Sequence, residues 1–148
     1  MSKQWGIDFK DFDFYCKKIE SLSNKDTLRK VADKALKETH KYLTPKIEDA
    51  FSIHNKTGRT IKSLRKDDST NWSGDVGSIE VGFDIKNGGL ASIFIMYGTP
   101  RIKPDKNLYN LFYGSKIKKE VFKIQEDIFE EELQKLLSRW ENWQLKNY

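Results

Sequence analysis

The chain has 148 residues, of which 37% are hydrophobic and 33% charged, and 27 basic against 22 acidic residues leave a net charge of +5. That length suits one domain with one modest core, and the 13% aromatic content argues against disorder because each ring can bury a large area. The mild basic excess permits contact with nucleic acid or an acidic protein surface without demanding either, and no apolar segment nears the ~20 residues that span a membrane.

In chain order, Trp5 to Phe9 alternate and predict a short strand. The N-terminus lacks the apolar region of a signal peptide, and the single cysteine, Cys16, has no partner for an internal disulfide. Both point to a protein made and kept in a cytosol, with Cys16 a packed thiol rather than a nucleophile. Phe12, Tyr15, Ile19 and Leu22 recur at helical spacing, and the polar run from Ser21 to Asn24 breaks that helix. Ser23 or Asn24 then caps a second helix, with Asp26 in its first turn, where negative charge suits the helix dipole.

This second helix carries the clearest pattern. Leu28, Val31, Ala32, Ala35, Leu36, Thr39, Tyr42 and Leu43 form one stripe, while Lys30, Lys34, Lys37, Glu38 and Lys41 face away. Pro45 predicts a kink rather than a stop, because Ile47, Ala50 and Phe51 continue the spacing. Asn55 and Gly58 then signal a loop, and Ile61 with Leu64 a short helical turn. Asp67 to Asp75 reads as polar and turn-rich. Ile79, Val81 and Phe83 alternate with polar or small residues as a half-buried strand, and Lys86 to Gly89 makes a strong turn.

The run 90–97 is apolar and short. Periodicity alone does not separate strand from buried helix there, and its β-branched and aromatic content leans to strand. It stops at Gly98-Thr99-Pro100 and gives way to Arg101, Lys103 and Pro104, either a stiff exposed loop or a plain connector to the next helix. Leu108, Leu111 and Phe112 open that helix. Gly114 is placed to interrupt it before a long stripe of Ile117, Val121, Ile124, Ile128, Phe129, Leu133, Leu136 and Leu137. Trp140, Trp143 and Tyr148 trail among polar residues, and either complete this core or dock on a partner. No repeat, linker or low-complexity tract divides the chain. The expected fold is α+β: one domain over residues 1–148, with a small, mainly antiparallel sheet packed by the 25–43 helix and the long C-terminal helix.

Catalytic patterns are missing. His40 and His54 stand without a cysteine pair or HExxH, which reads as packed or surface imidazoles rather than metal ligands. Glu130, Glu131 and Glu132 are consecutive, so on a helix they fan outward and cannot converge on one substrate. No phosphate-binding glycine motif occurs, and no cofactor is expected. The stretch 56–66 carries Lys56, Arg59, Lys62, Arg65 and Lys66 with no acid. It is an ordinary charged loop or a contact for phosphates or a partner, and it lacks the interleaved aromatics usual in single-strand nucleic-acid readers.

In order and spacing, "KTGRTIKSL" (56–64) and "MYGTPRIKPDKNLYNLF" (96–112), between an amphipathic helix and a long C-terminal helix, resemble the tail-completion, or head–tail joining, proteins of long-tailed bacteriophages. Thr57, Gly58, Arg59, Ile61 and Ser63 match a Thr-Gly-Arg/Lys-Leu-x-x-Ser motif, with Ile for Leu and a shifted Ser. Tyr97-Gly98-Thr99 and Pro104 match a later aromatic-Gly-Thr segment and its basic loop, although Met96 replaces the usual acid. The resemblance covers roughly residues 10–135. It implies a non-enzymatic virion protein, assembled in the host cytoplasm, that forms a commonly six-fold ring at the head-proximal end of the tail. Its partners would be further copies of itself, the tail tube protein and the head connector, with DNA passing through the lumen. The partner-binding residues would be Lys56, Arg59, Lys62, Arg65, Arg101, Lys103, Trp140 and Trp143. The alternative is a small basic nucleic-acid-binding protein.

Overall fold

The computed structural model describes residues 2–8 and 25–147, with the backbone alone for Ser2–Asp8, Lys25, Trp140, Trp143, Gln144 and Asn147. The expected helix at 12–22, Cys16, the caps at Ser23 and Asn24, and Tyr148 lie outside the described residues. The architecture is α+β. Strand β1 (Ser2–Asp8) is followed by helix α1 (Lys25–Ser52), the one-turn helix α2 (Arg59–Lys62), and strands β2 (Thr70–Ser73) and β3 (Val76–Gly82). A 3₁₀ turn at Ile85–Asn87 leads to helices α3 (Leu90–Tyr97), α4 (Lys106–Tyr113) and α5 (Ser115–Asn147). Gly114 separates α4 from α5, as the sequence pattern predicts.

The sheet is antiparallel in the order β1-β3-β2, with Trp5 opposite Ile79 and Thr70 also opposite Ile79. Ile79, Val81 and Phe83 point into the core and are fully buried. Strand β2 appears where the sequence suggests only turns. Gly74 (φ 60) opens a tight reversal into β3, and Trp72 folds over Gly77, where any side chain would collide with its ring at 2.8 Å. Helix α1 clips this hairpin. Arg29 donates from Nη2 to the Gly74 carbonyl at 2.8 Å with its guanidinium 5.4 Å from the Trp72 ring centre, and Thr70 donates to Asp33.

Helix α1 is buried around more than half of its circumference, because Val31-Ala32, Ala35-Leu36, Thr39-His40 and Leu43-Thr44 are adjacent buried pairs repeating about once per turn. One flank lies on the sheet and the other against α5. The contacts to α5 run antiparallel: Lys34 pairs with Glu132 at 2.9 Å, Gln125 donates to Thr39 at 3.2 Å, and Tyr42 donates to Glu120 at 2.7 Å. Helix α5 thus packs on α1 and α4, and α1 forms the middle layer between α5 and the sheet. The helix runs through Pro45 without a stop. Pro45 lies on the exposed face with Lys41, whose carbonyl loses its helical partner there and faces solvent.

Leu36 is fully buried at the centre of this layer. Leu36→Ala is expected to cost about 2–5 kcal/mol in urea unfolding, whereas Lys37→Ala, one residue on and exposed, is expected to stay within about 0.5 kcal/mol.

Candidate interaction surface

The run 90–97 is helical, not the strand its composition leans to. The sheet contains β1, β3 and β2, and the run does not join it. Instead it forms α3, and Tyr97 meets Tyr109 of α4 at a ring separation of 5.7 Å. This helix is inverted relative to an ordinary amphipathic one. Leu90, Phe94 and Tyr97, at i, i+4 and i+7, face solvent, while polar Ser92 is fully buried beside Met96. Ser92 is satisfied locally, its hydroxyl donating to the Gly89 carbonyl at 2.6 Å. Phe94 is 48% exposed.

A cleft of about 410 Å³ runs beside Phe94. Its walls are the end of α1 with Ile53 and His54, the loop from Asn55 to Gly58, and Ile102 from the loop after α3. Ile53 is 81% and Ile102 46% exposed, so apolar side chains from three separate segments meet in water at one place. Patches of this kind on a folded domain mark contact sites more often than chance.

The loop from Gly98 to Asp105 is pinned at both ends. Gly98 ends α3 with φ 79, a conformation that disfavours a side chain, and a Cβ there would meet Pro104 Cδ at 2.8 Å. Thr99 and Ile102 exchange backbone hydrogen bonds of 2.9 and 3.1 Å, closing a turn with Pro100 and Arg101 at its exposed tip. The Asp105 amide donates to the Ile95 carbonyl at 2.8 Å. The abrupt change at Gly98 is therefore where a solvent-facing helix becomes a rigid loop that holds out Arg101, Ile102 and Lys103.

His54 and Asp105 lock this loop to α1. His54 Nε2 lies 2.6 Å from Asp105 Oδ2, the imidazole stands 5.8 Å from the Phe51 ring, and Asp105 also caps α4 by accepting from the Leu108 amide at 3.0 Å. Burial pushes the Asp105 carboxyl up, but the hydrogen bonds from His54, Leu108 and Asn107 and the charge of His54 outweigh it and hold the group below its ordinary value.

The basic stretch 56–66 divides in two. Lys56 lines the cleft, and Arg59 and Lys62 are exposed on α2 beside it. Among the described residues, no carboxylate forms an ion pair with these three or with Arg101, Lys103 or Lys106. Arg65 belongs elsewhere. It extends the bridge between Leu64 and Phe83, pairs with Glu80 at 3.1 Å, and does not line the cleft. Lys66 pairs with Glu48 at 2.5 Å. Trp140 and Trp143 lie on the last turns of α5, with side chains outside the description, near Leu145, which is 82% exposed. His40 is buried, its Nε2 3.1 Å from the Arg65 carbonyl, and Glu132 is tied to Lys34 and Lys135. No group of three or more His, Cys, Asp or Glu among the described residues is placed to hold a metal, and none of their helices is long and apolar enough to cross a membrane.

The sequence reading found the cations of this surface but missed Ile53, Leu90, Phe94 and Ile102. The one available signal was the 90-94-97 spacing around Ser92. Searches with the chain against protein-family models, curated proteins and solved structures each gave no match.

Because the Asp105 pKa is lower in the folded chain than its ordinary 3.8, the ionised carboxyl stabilises the fold above that value, and this contribution is lost as pH falls through the folded value. Urea midpoints measured from pH 7 to pH 2 are expected to fall less steeply below pH 5 for Asp105→Asn, which keeps the cap without the charge. Asp105→Ala removes the cap as well and is expected to cost about 1 kcal/mol more at every pH.

Proposed function

We propose that the chain is a structural virion protein of a tailed phage, acting by assembly at the head-proximal end of the tail. There it would form a ring with copies of itself, end the tail tube and join it to the head connector. The observation that carries this reading is convergence. The two segments of the family resemblance, Thr57–Ser63 and Tyr97–Pro104, are distant in sequence yet border one cleft, where exposed apolar residues stand near cations that form no ion pair among the described residues. Such a surface has the make-up of a protein interface, an apolar centre with a polar rim. Lys56, Arg59, Lys62, Arg101 and Lys103 fall within it or at its edge, and Trp140 and Trp143 supply a second contact at the far end of α5. Arg65, paired with Glu80, serves the fold. The chemistry asked of such a protein is binding alone, with no catalytic group and no cofactor.

Negative-stain imaging of the purified chain with its neighbouring tail proteins tests the proposal: rings or capped tail tubes support it. Tight, salt-sensitive DNA binding by an isolated monomer would favour the nucleic-acid alternative instead. Reversing both Arg59 and Lys62 to Glu is expected to leave the melting temperature nearly unchanged, because exposed, unpaired charges contribute little to stability. The same change is expected to leave tails unjoined to heads. Normal yields of joined particles from the double variant would remove the 59–62 segment from the interface.

A further inference from the structure

We infer that the cleft beside α3 accepts an acidic, apolar-anchored peptide segment of another protein. The inference rests on reading this face as an interaction surface, but not on the assignment to a phage tail.

Three features select that occupant. The apolar surface is a stripe rather than a disc. Leu90, Phe94 and Tyr97 follow one line along α3 for about 10 Å, and the 410 Å³ cleft lies beside its middle, between Ile53 and Ile102. A linear segment that lays one large side chain in the cleft and its flanking residues along the stripe matches that shape.

The rim is predominantly cationic. Residues 53–66 and 97–104 contain no acid, and Lys56, Arg59, Lys62, Arg101 and Lys103 stand without carboxylate partners among the described residues. Of the nearby carboxylates, Asp105 is engaged by His54, Asp84 accepts from the Asn87 side chain at 2.7 Å and the Lys86 amide, and Asp49 is exposed one turn before Ile53. A partner bearing Asp or Glu on both sides of its anchor would neutralise the rim, and a basic partner would be repelled.

The third feature concerns a second copy of this chain. Among its described residues the most acidic exposed stretch, around Asp127, Glu130 and Glu131 on α5, has Ile128 and Phe129 turned into the core, and the exposed Phe122 before it stands among Lys118, Lys119 and Lys123. The described part of a second copy therefore offers no acid-flanked anchor on α5, and the occupant we infer is a segment of a different protein. The pinned loop adds affinity, because Arg101, Ile102 and Lys103 are already held in place before binding.

The test is an unbiased selection. A displayed library of random peptides of about twelve residues is enriched on the full chain and depleted on the Phe94→Ser variant, with circular dichroism confirming that each variant is folded. The recovered peptides are expected to be net acidic with at least one Leu, Phe or Trp. A fluorescent copy of the strongest peptide is expected to bind about tenfold or more weakly to Phe94→Ser and to the Arg101→Glu/Lys103→Glu double variant, and to weaken as salt rises. Should Phe94→Ser fail to fold, the loop-tip double variant serves for both depletion and binding. Recovery of neutral or basic peptides, no enrichment at all, or binding indifferent to the loop-tip change overturns the inference. So does an oligothymidine that binds the same face more tightly than any recovered peptide, or self-association abolished by the loop-tip change. Failure of the selection beside unjoined tails in the Arg59/Lys62 variant would reject the peptide partner and leave the virion reading standing.

Discussion

Two flanks of α1 must be covered at once, and the rest of the fold is arranged around that requirement. A helix with one apolar stripe needs one partner, but here adjacent buried pairs recur on every turn from Val31 to Thr44. The small side chains of Ala32 and Ala35, both fully buried, let neighbouring elements approach closely. The sheet takes one flank and α5 the other. Register between the helices is set by Gln125, a buried amide that finds its partner only where Thr39 faces it, and Thr39 in turn donates to the Ala35 carbonyl at 2.9 Å. A slip of one turn would strand the Gln125 amide in the core, at a cost of about 1–3 kcal/mol, while Thr39 would keep its bond within α1. With both flanks occupied, the last turn of α1 carries Phe51, and the turn that follows it His54, to a fixed place. Phe51 packs on Phe83 of the sheet at 4.9 Å while His54 reaches Asp105. The candidate surface is built on that end of the helix.

How much of this is legible in the sequence depends on where the deciding contacts lie. The stripes of α1 and α5, the alternation of β3 and the break at Gly114 are local patterns, and the structure follows them. Strand β2 was not legible. Of its four residues only Trp72 is apolar, and what holds it in place is Arg29, Asp33 and Gly77, contributed by other elements. The composition of Ile93, Phe94, Ile95 and Tyr97 leans to strand, but β propensity reflects packing against neighbouring strands, and the run packs against α4 instead of joining the sheet. The site divides in the same way. Lys56, Arg59 and Lys62 lie in an acid-free stretch and form no ion pair among the described residues, whereas Arg65 and Lys66 find Glu80 and Glu48 only after folding.

The outward face of α3 is costly to keep without a use. Ile53 is almost fully exposed and Phe94 and Leu90 are half exposed, and exposed apolar side chains invite aggregation. Meanwhile the fold invests in rigidity around them: a positive-φ glycine at Gly98, a closed turn at Thr99–Ile102, a cap at Asp105 and its contact with His54. Rigid support under an exposed apolar stripe would lower the ordering cost of binding, and the cations at the rim would favour a partner of acidic character.

The central claim is that this stripe is covered when the protein does its work. Hydroxyl-radical footprinting read by mass spectrometry tests it without altering the chain. The account predicts strong oxidation of Phe94 and Ile53 in the free protein and marked protection of both in assembled particles. Equal labelling of the two residues in the free and assembled states would contradict it.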